Sequence, residues 1–169
     1  MHSSCFEPIA GHDARILNLG SLPGAESLRL GQYYANPRNC FWRIMSEVLG
    51  FSLDLPYADR IIQLQQHRIA LWDVCASAYR AGSLDSKISQ AIVNDFESFL
   101  TAHTEIALIC FNGKASETLY SKSVWPLRPE RLAQIPTKQL PSTSSANAQM
   151  TFVQKLAPWT GALVAGNVL

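Results

Sequence analysis

The stretch 16–50, ILNLGSLPGAESLRLGQYYANPRNCFWRIMSEVLG, constrains the fold more than any other part of the chain. It opens with an apolar run at 16–19, short enough for a buried strand. A tight turn follows, Gly20-Ser21-Leu22-Pro23-Gly24. Glycine lets backbone approach a ligand closely, and Pro23 stiffens the loop. A polar and aromatic segment comes next, Gln32-Tyr33-Tyr34-Ala35-Asn36-Pro37-Arg38-Asn39. Phe41, Trp42, Ile44, Met45 and Val48 then recur at helical spacing on one face, and Gly50 is a natural stop. An α/β protein builds a ligand site in this way, beyond its strand ends.

The rest of the chain repeats the alternation. Apolar runs at 68–75 and 105–111 read as strands, and a fourth strand is expected within 133–139. Helices are expected over 58–66, from 115 to 120, and over 147–156, where Pro158 closes the last one. Phe96, Phe99 and Leu100 mark another helix, with Asp95 as its N-cap. Asp85 reads as a turn residue, and the alternative reading makes Asp85 and Asp95 a pair of acids for general acid–base work. Residues 1–14 read as an irregular lead-in, and 125–136, rich in proline and arginine, as a connecting loop that touches a phosphate backbone or is solvated. Strands alternating with helices imply a parallel sheet covered on both faces. A length of 169 residues with 47% apolar content fits one compact domain over 1–169.

The net charge of +1 is not the footprint of a protein that coats DNA, although local basic patches remain open. No apolar run reaches the roughly 18 residues of a membrane span, and no signal peptide is seen. A cytoplasmic protein is the default expectation. Cys5, Cys40, Cys75 and Cys110 lie 35 residues apart, but their flanks differ and no Cys-x-x-Cys pair occurs. Free thiols are expected, with no zinc site and no disulfide framework. Asn112-Gly113-Lys114 after the third strand offers backbone N–H groups to an anion or a base, without the spacing of a Walker loop.

Several of these segments together resemble the uracil-DNA glycosylase superfamily. The mismatch-specific uracil/thymine branch carries Gly-x-Asn-Pro-Gly, an aromatic twelve residues after that Asn, then Ala-His-Pro-x-Asn-x-Phe-Trp. Here Leu22 and Tyr34 are twelve residues apart, and Ala35-Asn36-Pro37-Arg38-Asn39-Cys40-Phe41-Trp42 follows. The Gly-Ser-Leu-Pro-Gly loop, the Gln-Tyr-Tyr run and the Leu-Trp-Asp-Val…Arg-x-Gly-Ser-Leu-Asp-Ser segment (residues 71–86) look like the DNA-deoxyinosine branch. Leu140-Pro141-Ser142 resembles the superfamily's His-Pro-Ser motif.

The resemblance implies a three-layer α/β/α sandwich with a central four-stranded parallel sheet. It implies a monofunctional, monomeric DNA glycosylase, associated with the nucleoid, acting on DNA with a deaminated base and needing no metal or cofactor. Asn39 is the implied catalytic amide. Gly20, Ser21, Leu22, Tyr34, Asp73, Phe111 and Asn112 are implied to bind the base, and Arg38, Lys114, Ser142, Thr143, Ser144 and Ser145 the DNA. Each leading residue carries a second reading. Asn39 also suits a helix N-cap, Tyr34 a core tyrosine, and Asp73 a turn cap. As a base contact, the Asp73 carboxylate would accept the N1–H of hypoxanthine. The chain departs from the pattern at Leu22, which cannot orient water, at Asn36, at Leu140 in place of a leaving-base His, and at Ser144, too small for an apolar wedge. Three alternatives stay open: a mismatch-specific uracil glycosylase, a non-catalytic lesion-binding module, and a small-molecule nucleoside hydrolase.

Overall fold

Four short apolar runs become the strands of a parallel sheet, and period-two alternation along them sorts the core into two layers. In a computed structural model that describes residues 2–81, 85–127 and 130–169, the strands are β2 (Ile16–Gly20), β3 (Ile69–Asp73), β6 (Leu108–Asn112) and β7 (Thr137–Leu140). Their order is β3-β2-β6-β7, all parallel. The chain leaves β2 toward β3 on one side and later returns to β6 on the other. β2 is therefore the switch point, beyond whose C-terminal end a ligand crevice opens.

One layer packs Leu17, Leu19, Ala70, Trp72, Ile109 and Phe111 against the helices α4 (Phe96–Ala102), α5 (Lys114–Leu119) and α6 (Glu130–Gln134) with the turn between them. The other packs Ile16, Ile69, Leu71, Leu108, Cys110 and Leu140 under α2 (Phe41–Leu49), α3 (Tyr57–Gln66) and α7 (Phe152–Ala165). Each fully buried large side chain here contributes roughly 1.5–3 kcal/mol. The expected three-layer α/β/α architecture is present, and the described residues add a second sheet to it.

That second sheet is antiparallel, in the order β1-β4-β5, with β1 at His2–Ser4, β4 at Cys75–Arg80 and β5 at Ile88–Val93. The lead-in is thus not irregular: Ser3 pairs with Ala78, and Ile9 bridges Leu71. The expected second strand divides at Val74. Its first part lies in the parallel sheet, and its second part turns into β4. Short polar strands with alternating small residues carry a weak apolar signal, which hid β4 and β5.

Three further boundaries differ from expectation. A short helix, α1 (Ala25–Leu30), follows the first glycine loop. Within 125–136, Trp125–Leu127 forms a 3₁₀ turn and Glu130–Gln134 forms α6. Arg131 there is structural, because its guanidinium donates to the carbonyls of Leu100, His103 and Thr104. Arg128 and Pro129, part of the expected phosphate-touching loop, lie outside the described residues, as do 82–84 of the Arg-x-Gly-Ser-Leu segment. The last helix starts later than expected, at a capping box between Thr151 and Gln154, and runs through Pro158. Proline removes one backbone donor, but buried Trp159, Ala162 and Leu163 anchor the turns that follow.

Candidate active site

Strand alternation decides which side chains meet at the end of the sheet. Asn18, Asp73 and Asn112 stand two residues beyond Ile16, Leu71 and Cys110, all of which belong to the layer under α2 and α7. They therefore face that same side. A cavity of about 300 Å³ opens above them. Gly20, Ser21, Leu22, Tyr34, Asn36, Asn39, Asp73, Asn112 and the loop 142–145 line it, together with Arg80 and Asp85.

Asp73 is buried (4% exposed), and its Oδ2 has no hydrogen-bond partner among the described residues. No backbone N–H of the following turn donates to its carboxylate among the described residues, which is the bond a turn cap would need. Burial, reinforced by the charge of Asp85 and opposed by Arg80, pushes its pKa up to about 7. Gly20 sits against it: a Cβ there would lie 2.5 Å from Asp73 Oδ1 and 3.4 Å from the Tyr34 hydroxyl.

Tyr34 lies between the core and the cavity. Its ring stacks on Phe41 at 4.1 Å between centroids, so one face belongs to the core, while the side chain lines the cavity. Its backbone has φ +55°, an unusual conformation for a non-glycine residue, which sets the ring's direction. The hydroxyl accepts from Asn18 Nδ2 at 3.2 Å. Burial, then the negative charge of Asp73, raises its pKa. The neighbouring Tyr33 is the core tyrosine: it is 4% exposed and donates to the Glu7 carbonyl.

Asn39 is not the expected N-cap of α2, which is Cys40, but its side chain holds the residue after that cap. Its Oδ1 accepts from the Phe41 N–H at 3.0 Å, at the entry to α2, and the residue lines the cavity. A carbonyl oxygen has two lone pairs, so this bond leaves acceptor and donor capacity for a ligand. Asn112 is held rigid by Thr143. Its Nδ2 donates to Thr143 Oγ1, and its Oδ1 accepts from the Thr143 N–H, both at 2.9 Å.

Two expected site residues lie elsewhere. Phe111 is one residue before Asn112, so it points to the opposite layer and packs on Tyr120 with centroids 5.0 Å apart. Lys114 is exposed at the start of α5 and does not line the cavity. Among the expected DNA contacts, Thr143 is buried (1% exposed) with its hydroxyl committed to Asn112, so it is an internal brace. Ser142, Ser144 and Ser145 line the cavity, and Arg38 is exposed at its flank. Leu22 packs with Cys75 and Ala78, and Leu140 is buried in the layer under α7.

Sequence reasoning missed Asn18, Arg80 and Asp85. Asn18 carried a signal, a lone amide inside an apolar strand run. Arg80 and Asp85 stood in the 71–86 segment that carries the resemblance, but β4 has almost no apolar pattern and an aspartate between strands suits a turn, so neither was assigned to the site. Arg80 is buried and donates to the carbonyls of Leu22 and Pro23. Asp85 lies 3.6 Å from Arg80 and accepts from Ser21 Oγ at 2.6 Å. These two side chains pin the first glycine loop to the small sheet. Among the described residues, no group of three His, Cys, Asp or Glu is arranged to hold a metal ion, and no helix is long and apolar enough to cross a membrane.

A family model described as Uracil DNA glycosylase superfamily matches residues 8–160. A hypoxanthine DNA glycosylase of Methanosarcina acetivorans is 40% identical over 148 residues, covering 86% of this chain and 89% of that protein. A hypoxanthine DNA glycosylase of Methanosarcina barkeri is 38% identical over 117 residues, covering 69% of this chain and 74% of that protein. The solution NMR structure of a Methanosarcina acetivorans protein named for uracil DNA glycosylase superposes with a TM-score of 0.83 at 36% identity, covering 99% of both chains.

Proposed function

The chain belongs to the uracil DNA glycosylase superfamily, and we propose that within it this protein releases hypoxanthine from DNA by hydrolysing the N-glycosidic bond of an extruded deoxyinosine. The observation that carries the choice of base is the buried Asp73 carboxyl at the cavity floor, with one oxygen unpartnered among the described residues. The printed names of the two Methanosarcina relatives support the same choice.

A base inside a duplex cannot reach such a cavity, so the nucleotide is flipped out. The free side of the Tyr34 ring, backed by Phe41, is a stacking platform. Ionised Asp73 accepts from N1–H. Asn112, braced by Thr143, presents a fixed amide to the base edge. The C1′–N9 bond breaks with its electron pair leaving on the base, positive charge builds on the sugar, and a water oxygen then bonds to C1′ and releases a proton. Leu22 cannot hold that water and Leu140 is buried, so the side-chain amide of Asn39 serves as the local dipole that orients it. The loop 142–145 meets the backbone of the bound strand.

No lysine lines the cavity among the described residues, which supports hydrolysis without strand cleavage. We read 1–169 as a single domain acting as a monomer, located with the nucleoid by virtue of its substrate. The test is single-turnover release of hypoxanthine and uracil from otherwise identical duplexes, read after alkali cleavage. Hypoxanthine release with lesser uracil release is expected. Uracil release alone would move the chain to the mismatch branch, and tight lesion binding without release of either would make it a recognition module.

A further inference from the structure

A second cavity, of about 360 Å³, adjoins the first and shares Tyr34, Asn36 and Asn39 with it. Its lining includes Arg38, Arg43 and Arg60 and not one aspartate or glutamate. The chain as a whole balances 14 Lys and Arg against 13 Asp and Glu, so three arginines without an acid are a sharp local asymmetry. None of the three forms an ion pair among the described residues, whereas Arg29, Arg68 and Arg80 do.

Each arginine is delivered by a different element. Arg38 lies on the loop between the cavities, its backbone N–H held by Asn36 Oδ1 at 2.9 Å. Arg43 projects from α2 with its guanidinium 3.8 Å above the Phe152 ring. Arg60 comes from α3, with its guanidinium 4.9 Å from the Trp42 ring centroid and 5.8 Å from that of Tyr57. Its Nε is buried without a hydrogen-bond partner among the described residues. Aromatic faces hold two of the forks in place and leave donors unsatisfied, which suits a ligand made of oxygen acceptors.

We propose that this arginine-lined cavity is a phosphate-binding subsite that grips the backbone of the DNA strand beside the extruded nucleotide. The inference rests on the glycosylase reading. A strand that delivers its base to the first cavity must pass the shared rim of Tyr34, Asn36 and Asn39, which brings its neighbouring phosphates over the second. Guanidinium forks match phosphate oxygens two at a time.

The test replaces Arg38, Arg43 and Arg60 by Gln, singly and together, and measures binding to duplex DNA by fluorescence anisotropy over a salt series. Each phosphate that is no longer neutralised lowers the slope of log K against log salt by about 0.9, so the triple variant, releasing one or two phosphates, is expected to lose about 1–2 from the slope. Arg60→Lys keeps the charge and should retain the slope, which separates charge from damage to the Trp42 packing; thermal midpoints check folding. Methylphosphonates placed one at a time beside the lesion should weaken the wild type at one or two positions and leave the triple variant insensitive there. An unchanged slope, or equal methylphosphonate sensitivity in the triple variant at every position, overturns the proposal. The slope is read on undamaged duplex as well. A protein that fails to release hypoxanthine would sink the substrate reading while this measurement still stands or falls separately.

Discussion

The loops after β2 and β7 flank the same cavity and are held in opposite ways. The first, 20–24, is tied to the small antiparallel sheet. Val74 and Cys75 donate to the carbonyls of Gly20 and Ser21, Arg80 donates to those of Leu22 and Pro23, and Asp85 accepts from Ser21. The second, 142–145, is tied to its neighbour in the parallel sheet by the neutral Asn112–Thr143 amide clamp, and its backbone carbonyls accept from the Cys40 N–H and from the buried Lys155 ammonium. It also touches Gly113 closely, since a Cβ there would lie 2.8 Å from Ser142 Cβ. Leu22 in the first loop, and Leu140 at the end of the strand before the second, stand where the superfamily pattern has a polar group. Both loops wall the cavity, and the side chains of Asn39, Asp73 and Asn112 line it between them.

The charged tether should be the harder one to lose. Arg80→Leu removes the donor to two carbonyls and leaves Asp85 with Ser21. A loss of about 3 kcal/mol is expected, measured by denaturant unfolding. A loss under about 1 kcal/mol would mean that the backbone bonds from Val74 and Cys75 hold the first loop alone.

If both loops are walls, removing the amide between them should cost nearly as much in rate. Asn39→Ala is expected to slow single-turnover release by about 100-fold, with lesion binding changed much less. Asn39→Ser keeps a side-chain oxygen that can accept the Phe41 N–H at the entry to α2. A stable and fully active Ser variant would leave Asn39 that structural role alone and oblige one of the loops to supply the chemistry.

Asp73 gives a pH signature that neither loop can imitate. Its pKa is raised from 3.8 to about 7, so the native state holds the proton more tightly than the unfolded chain does. The resulting stabilisation is complete below about pH 4 and is lost as pH rises through 7. Asp73→Asn should therefore gain about 4 kcal/mol on the wild type between pH 4 and pH 8, measured by paired denaturation curves. Hypoxanthine release by the wild type should rise across pH 7 as the carboxylate becomes an acceptor, and the Asn variant should lack that rise.

The neutral clamp should give the smallest effect. Thr143→Val removes only the side-chain half of the pair with Asn112, because the backbone N–H remains. About 1 kcal/mol of stability is expected to go, with a modest loss of rate. A loss equal to that of Arg80→Leu would erase the distinction between the two tethers.

Much of this site was legible in the residues. The strand at Ile16–Gly20, the glycine loop, the helix over Phe41–Leu49 and its stop at Gly50 follow from apolar spacing and turn chemistry, which act over a few residues. Asp73 and Asn112 were singled out by the resemblance, and both prove to stand at strand ends on the cavity. Three matters lay beyond local pattern. Whether Phe111 or Asn112 faces the cavity depends on strand phase, and a one-residue shift reverses it. The antiparallel sheet is built from polar, weakly patterned strands whose pairing is visible only once the chain has folded back. The roles of Arg80, Asp85 and Arg60 depend on partners 58, 64 and 18 residues away in sequence, at Leu22, Ser21 and Trp42. Sequence pattern determined the layers and the strand ends, since burial and turn geometry are local demands. Only tertiary structure decided which charges were buried together and which were left facing a cavity, because that depends on which distant segments exclude water from one another.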